Sequence, residues 1–500
     1  MTRDLNRRTF LGGVAGTLGG FGLLADAEAQ GRGAPYNLPP NLAPFNALSL
    51  VLGRETDRSI TASLLAKERM EAYLEVGAAP GRYDRTTDRR DLPAGQPVEL
   101  ALDDLQPNTT YYYRLQSRRT GERAFNAREE QRFQTQRAPG SSFKFCVQGD
   151  SHPERPHMSE PNLYARTLQH AAGSQPDFHV CMGDDFSVER LRTVNAATTA
   201  EPYLLQRPFL GLIGQTAPLH LVNGNHEQAS LFNFNQTDVR REVAIGAQNA
   251  RNRLFPTPEP NRFYTGNATP LQSIGQLKDY HAWTWGEALF VILDNYWHSP
   301  VLVDNGFENG QGGANPLAGN RNRDWWAMGM GDAQYQWFKR TLEQSTASFK
   351  FVFAHHVHGS GRGGIEQSEL YEWGGNNRRG VSEFRQRRPN WELPIHQLMV
   401  RHGVTIFFQG HDHLYAKQER DGIIYQECPM PADHAYETHN ADAYRTGVKH
   451  PNSGYLRVNV SPQNVNVEYV RCFLPRDETA QRRSGDIAHS YTVEPRAPRR

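Results

Sequence analysis

The chain has 500 residues, of which 38% are hydrophobic, 10% aromatic and 22% charged, a globular composition that excludes a wholly disordered or fibrous protein. At roughly 100–200 residues per domain, this length predicts two or three domains. The formal net charge is +1, so no global field recommends nucleic acid or an acidic membrane as the main partner.

Residues 1–30 stand outside the fold. Asn6-Arg7-Arg8-Thr9-Phe10-Leu11 leads into a Gly/Ala-rich apolar run over 11–25 and then Ala25-Asp26-Ala27-Glu28-Ala29. The run is short and glycine-rich for a membrane span, and small residues in an A-x-A arrangement follow it, as a signal peptidase needs. This segment resembles a twin-arginine export signal. The resemblance implies a periplasmic or secreted protein, carried across the membrane folded and often with its cofactor. No later stretch approaches about 18 consecutive apolar residues, so no membrane span is expected in the mature chain.

Over 37–138 short alternating strands are predicted at 47–52, 59–64, 72–76, 98–102 and 110–115, separated by turn residues at the spacing of a small β-sandwich. The run Leu105-Gln106-Pro107-Asn108-Thr109-Thr110-Tyr111-Tyr112-Tyr113, with Phe133-Gln134-Thr135 closing the last strand, resembles fibronectin type III-like modules. No cluster of acids, bases or ligands falls here, so packing or substrate shaping is the expected role. A polar linker at 137–142 follows. Beyond it, buried apolar runs alternate with helical patterns at 162–172, 202–214, 333–345 and 393–402, which is α/β organisation. This domain is expected over 141–475, and 476–500 is expected to be a C-terminal tail with one strand-like patch at 489–493. Cys146, Cys181, Cys428 and Cys472 are scattered and form no C-x-x-C pair, so they read as buried small hydrophobes rather than disulfides or a thiolate zinc site.

The apolar runs end in polar residues. The run at 143–148 ends in Gly149-Asp150-Ser151-His152, and that at 178–182 in Gly183-Asp184-Asp185. The run at 219–222 ends in Asn223-Gly224-Asn225-His226-Glu227, that at 351–354 in His355-His356-Val357-His358, and that at 404–409 in Gly410-His411-Asp412-His413. In open α/β sheets the carboxyl ends of strands gather ligands from distant parts of a chain. Residues i and i+2 of an extended segment share a side, so Asp150 with His152, and His411 with His413, can each chelate one centre. Carboxylate, imidazole and amide donors without thiolate suit Zn, Mn or Fe. A glycine before Asp150, Asp184, Asn225 and His411 gives the backbone room to turn sharply.

In this order D-x-H, G-D, G-N-H-E, a histidine after a strand and G-H-x-H resemble the motifs of the calcineurin-like metallophosphoesterase superfamily, which includes the purple acid phosphatases. The resemblance spans 143–470. It implies a catalytic domain with a β-sandwich flanked by helices, and two divalent or trivalent metal ions per chain. By position, Asp150, His152 and His413 would bind one ion, Asn225, His355 and His411 the other, and Asp184 would bridge them. His226 would contact phosphate or protonate the leaving oxygen, with Glu227 orienting it. Two ions about 3.5–4 Å apart lower the pKa of a shared water toward about 7, so hydroxide is the expected nucleophile on a small phosphate mono- or diester.

Some positions stay open. His355 and His356 are adjacent, and position after the strand favours His355 as the ligand. His358 and Arg362 could reach phosphate, although solvated loop residues are the commoner reading. Asp185 is offset from the bridging position and reads as an outer or helix-capping carboxylate. Purple acid phosphatases carry an iron-binding tyrosine three residues after the bridging aspartate; Ser187 stands there, so a colourless protein is expected. Long segments at 229–280 and 295–332 are expected to wall the site. Trp325, Trp326, Tyr371 and Trp373 are stacking candidates, with packing the weightier reading, and His434 and His439 are no more than candidates for the mouth. An alternative is a periplasmic or surface binding module with a vestigial metal site, against which the complete motif set argues. A nuclease shares the chemistry but lacks the cationic surplus.

Overall fold

The structure, a computed structural model, describes residues 38–495 except 189–190, 192, 196, 230–234, 236–238, 302, 304–323 and 360. The export signal expected at 1–30 lies outside the described residues.

Alternation builds the first domain. In Met70–Gly77 the inward residues Ala72, Leu74 and Val76 are buried, and in Thr110–Arg119 Tyr111, Tyr113 and Leu115 are. They meet Leu48, Leu50, Leu52, Ala62, Leu64 and Phe133 in one core between a three-stranded sheet and a six-stranded one. Leu48–Gly53 departs from alternation because every residue in it is buried. Its second face, with Val51, packs into the core of the following domain. The sandwich therefore shares a wall with the α/β domain.

In that domain two sheets face each other. The six-stranded sheet runs Leu219–Leu221, Phe178–Cys181, Phe143–Gln148, Gly454–Val460, Val465–Arg471 and Ile487–Val493 in spatial order. The eight-stranded sheet contains Ala288–Ile292, Phe349–Phe353, Ile406–Gln409 and Ile423–Glu427 as parallel neighbours. Phe145, Phe178, Phe290, Phe351, Phe353 and Phe408 fill the space between them. Helices Pro161–Gly173 and Glu201–Gly214 cover the outside of the first sheet, and Asp332–Gln344 and Ile395–Arg401 cover the second. Phe143–Gln148, Phe178–Cys181 and Leu219–Leu221 are mutually parallel. The motif-bearing strands of each sheet thus release their chains at a common edge.

One reading of the sequence is corrected and one is extended. The segment after 475 does not stand apart as a tail: Ile487–Val493 pairs with Val465–Arg471, and Tyr491 donates to Gln426 Oε1 at 3.0 Å. The segment at 229–280 contains a helix, Val239–Leu254. Its inward residues Val243, Ala244, Ala247, Ala250 and Leu254 have helical spacing, but they are small and diluted by arginine, asparagine and glutamine. All four cysteines are buried and free.

Arg207 fastens the two domains. It is 1% exposed and donates to Ser49 Oγ at 2.9 Å, to Ser63 O at 2.6 Å and to Leu254 O. Burial pulls its pKa down to about 9, so the guanidinium stays charged at neutral pH, dispersed over carbonyl and hydroxyl oxygens. Arg207→Met keeps the volume but strips the buried Ser63 and Leu254 carbonyls of their donor. A loss of about 2–4 kcal/mol in denaturant unfolding is expected; an unchanged midpoint would show that the interface does not need this fork.

Candidate metal centre

Asp150 and Asp184 are each 1% exposed, and each divides its oxygens between two tasks. Asp150 Oδ1 accepts the backbone N–H of His411 at 2.9 Å, and Asp184 Oδ1 accepts that of His226 at 2.9 Å. One oxygen thus fixes a distant motif loop while the other, Oδ2, faces the cluster. Asp184 Oδ2 lies 3.3 Å from His355 Nε2 and 3.7 Å from His152 Nε2. Asp150 Oδ2 lies 3.0 Å from His413 Nε2. Asn225 Oδ1 and His411 Nδ1 stand 3.0 and 3.3 Å from His355 Nε2.

The clustered atoms form two groups, Asp150, His152, Asp184 and His413, and Asp184, His355 and His411, in each of which the ligand atoms lie within 4.8 Å of one another. Asp184 belongs to both. Ligand atoms about 2.1 Å from one ion at tetrahedral angles sit about 3.4 Å apart, which is the spacing seen here. Among the described residues His152 Nε2 is buried without a hydrogen-bond partner, a costly arrangement unless a cation is its counterpart. The residues present fit a pair of metal ions.

The outer hydrogen bonds orient each ring. His355 Nδ1 faces Met182 O at 2.8 Å, His411 Nε2 faces Gly361 O at 3.0 Å, and His152 Nδ1 faces Glu154 Oε1 at 3.2 Å. In each ring the other nitrogen is left for the cluster. Burial drives the pKa of His152 and of His411 well down, and these rings are neutral. Burial opposes ionisation of Asp184, yet His355 and His226 beside it hold its pKa well below the usual range. Neutral imidazole and ionised carboxylate are the forms that bind metal.

The loops pay in backbone conformation. His152, Asp184, His411 and His413 have φ of 41°, 57°, 79° and 61°, a left-handed region that non-glycine residues rarely occupy and that clusters at functional sites. The preceding glycines serve close approach more than turning. Of Gly149, Gly183, Gly224 and Gly410, only Gly183 has positive φ, 97°. A Cβ on Gly410 would lie 2.5 Å from Asp150 Oδ1, and one on Gly224 would strike Asp184 Oδ1.

The expected role of Glu227 changes, while His355, Asp185 and the aromatic positions settle on the favoured reading. Glu227 is fully buried, and its oxygens accept Asp185 N at 2.9 Å and Gly224 N at 2.6 Å. It staples the G-D loop to the G-N-H-E loop instead of orienting His226. His356 turns away, with Nε2 3.2 Å from Gly363 O, which leaves His355 in the cluster. Arg362 binds His411 O and, at 3.1 Å, Asp412 Oδ1. His358 is buried against Tyr371, ring centroids 4.9 Å apart, and Trp373 packs on Phe407 at 5.0 Å. Trp325 stacks on Tyr371 at 5.9 Å, and Trp326 lies edge-on to it at 5.8 Å. These rings build a wall. Asp185 accepts Ser151 Oγ at 2.5 Å, and burial pushes its pKa up to about 8; it is an outer carboxylate. Ser187 is buried. His439, held by Asp433 at 3.0 Å, stands with its ring 6.2 Å from that of His413, while His434 is half-buried.

Sequence reasoning missed Glu154, Arg155, Glu427 and Tyr296. Glu427 Oε1 accepts Asp412 N at 3.1 Å, doing for G-H-D-H what Glu227 does for G-N-H-E. Tyr296 is buried with its ring 6.1 Å from that of His355. Glu154 and Arg155 stand two and three residues after His152, and that nearness was their only signal.

The sequence profile of the calcineurin-like phosphoesterase family matches residues 143–415. The chain belongs to that family. Two solved structures share the architecture. PhoD is 15% identical with a TM-score of 0.61, and the match covers 90% of each chain. The purple acid phosphatase PPD1 from yellow lupin (Lupinus luteus) seeds is 16% identical with a TM-score of 0.55, over 90% of this chain and 74% of that one. At these identities the likeness is one of fold. No curated protein matches.

In this calcineurin-like phosphoesterase His355 is expected to set the pH dependence of metal loading. Burial works against its charge, but Asp184 and Asp150 outweigh it and push its pKa up to about 10. The value is raised, so without ions this pairing stabilises the fold fully below the unfolded pKa of about 6.5. That stability is lost as pH rises through about 10. An ion replaces the proton, so affinity rises with pH across this window. Calorimetric titration with Zn or Mn in buffers of different ionisation enthalpy should show proton release at neutral pH. His355→Ala should abolish the release and one ion site, while His356→Ala should keep both; release that survives His355→Ala would contradict the assignment.

Proposed function

We propose that this calcineurin-like phosphoesterase is an exported hydrolase of small phosphate mono- or diesters, working at a two-metal centre. The observation that carries the reading is Asp184, whose Oδ2 belongs to both ligand groups. Asp150, His152 and His413 would hold one ion, Asn225, His355 and His411 the other, with Asp184 between them. The identity of the ions, Zn, Mn or Fe, is left to measurement. When bound, they would supply Lewis-acid neutralisation of phosphoryl charge and an activated water.

The chain supplies orientation and protons. His226 is 9% exposed, and its Nε2 is 3.8 Å from Asp184 Oδ2, which puts the ring at the rim where a phosphoryl group would lie. Burial, reinforced by Arg155, keeps the ring neutral. It therefore donates an N–H to the phosphoryl or leaving oxygen. Ser187 in place of a phenolate donor supports a colourless enzyme.

His226→Gln is expected to lower kcat on p-nitrophenyl phosphate or its bis ester by about 10²–10⁴-fold with metal content unchanged. Fully metallated wild-type protein inactive on both esters would contradict the reading. Export rests on Arg7-Arg8 and the apolar run behind them; replacing both with Lys should leave the protein on the cytoplasmic side in cell fractionation, and unaltered export would refute the twin-arginine route.

A further inference from the structure

The turn after His152 carries a cation to the edge of the metal cluster. Arg155 donates its backbone N–H to His152 O at 2.9 Å, and its carbonyl accepts Met158 N and Ser159 N, both at 2.9 Å. The backbone is thus pinned on either side. Its side chain is 10% exposed, and Nε donates to Glu154 Oε1 at 3.1 Å. The same Glu154 oxygen is 3.2 Å from His152 Nδ1. One carboxylate therefore fixes both the metal-facing ring of His152 and the direction of Arg155.

The far end of the guanidinium, Nη2, lies 3.0 Å from His226 Nε2 and 3.2 Å from His226 Nδ1. His226 Nε2 is in turn 3.8 Å from Asp184 Oδ2. Arg155 Nη2 donates to the neutral His226 ring, and the remaining guanidinium N–H groups with the single N–H of that ring form one nearly buried wall beside the carboxylate shared by both ligand groups. Guanidinium forks match the oxygens of a phosphoryl group.

We propose that Arg155 is a substrate-binding residue that grips a non-bridging phosphoryl oxygen and selects phosphate monoesters over diesters. This rests on the two-metal reading above. A monoester has three non-bridging oxygens, and after the ions have engaged the phosphoryl group one remains to face the protein. In a diester a second ester substituent occupies one of these directions. At Arg155 and His226 that substituent would meet a buried row of donors instead of solvent, displacing the fork without replacing its acceptor. Glu154 is a positioning residue in this scheme, since it reaches the substrate only through Arg155 and His152.

The test uses metal-loaded full-length protein as wild type, Arg155→Met and Arg155→Lys, with ion content measured on each. Inorganic phosphate and dimethyl phosphate are titrated calorimetrically, and kcat/KM is measured on p-nitrophenyl phosphate and bis(p-nitrophenyl) phosphate. The wild type is expected to bind phosphate more tightly than dimethyl phosphate and to prefer the monoester. Arg155→Met should weaken phosphate binding by about 10–100-fold at unchanged ion content and lower the monoester-to-diester kcat/KM ratio by at least about tenfold. Arg155→Lys, which keeps the charge and loses the fork, should fall between. Phosphate affinity and ester ratio unchanged in both variants would overturn the inference while leaving the two-metal reading intact. A wild type that takes up no ions would overturn both.

Discussion

Everything at this centre depends on how Asp150 and Asp184 divide their oxygens. Each Oδ1 is committed to the backbone N–H of a residue far away in sequence, His411 and His226 respectively. Each Oδ2 is left to the ligand group. A carboxylate that is both a ligand and a loop clamp couples metal binding to backbone register. That coupling explains the close packing demanded of Gly224 and Gly410, against which a Cβ would press Asp184 and Asp150. It also explains the left-handed backbone at His152, Asp184, His411 and His413. Strain of this kind costs on the order of 1–3 kcal/mol per residue and persists because the surrounding loops over-determine it.

Burying this many charges needs a stiff frame. The phenylalanine layer between the sheets and the helices outside them supply it, and the fully buried strand Leu48–Gly53 makes the first domain part of that frame. A second tie runs through Glu55 of the sandwich, whose Oε1 is 2.8 Å from His220 Nε2; His220 Nδ1 is 3.1 Å from His281 Nε2. His220 sits in the strand that ends in the G-N-H-E motif. The sandwich therefore buttresses the strand that delivers Asn225 and His226, which gives physical content to a domain whose sequence offers no chemistry.

The clustered Asp, Asn and His residues were legible because their chemistry is written locally. Each follows an apolar run, and Asp, Asn or His at the end of a buried strand serves packing poorly and ligation well. The sandwich strands were legible for a similar reason, since turn residues and alternation mark each one. What escaped depended on tertiary partners. The role of Glu227 as a staple is invisible beside His226, because adjacency in sequence suggested that the pair act together. Glu427 stands in an ordinary strand and becomes meaningful only opposite Asp412 N. The helix Val239–Leu254 was hidden by polar residues on its exposed face; the strand-like patch at 489–493 was legible, but its pairing with Val465–Arg471 was not. The aromatic residues Trp373 and Tyr371 pack within the fold, on Phe407 and His358 respectively, in line with packing as the weightier reading.

The most direct test of this account is ion stoichiometry. Mass-spectrometric metal content should be measured on purified mature protein and on Asp184→Asn, each after the same metal loading and with folding checked by circular dichroism. Because Asp184 alone among the described residues belongs to both ligand groups, the account predicts two ions per wild-type chain and the loss of both, or retention of one weakly held ion, in the folded variant. A wild-type chain that holds no ion, or a variant that keeps two as tightly as the wild type, would contradict it.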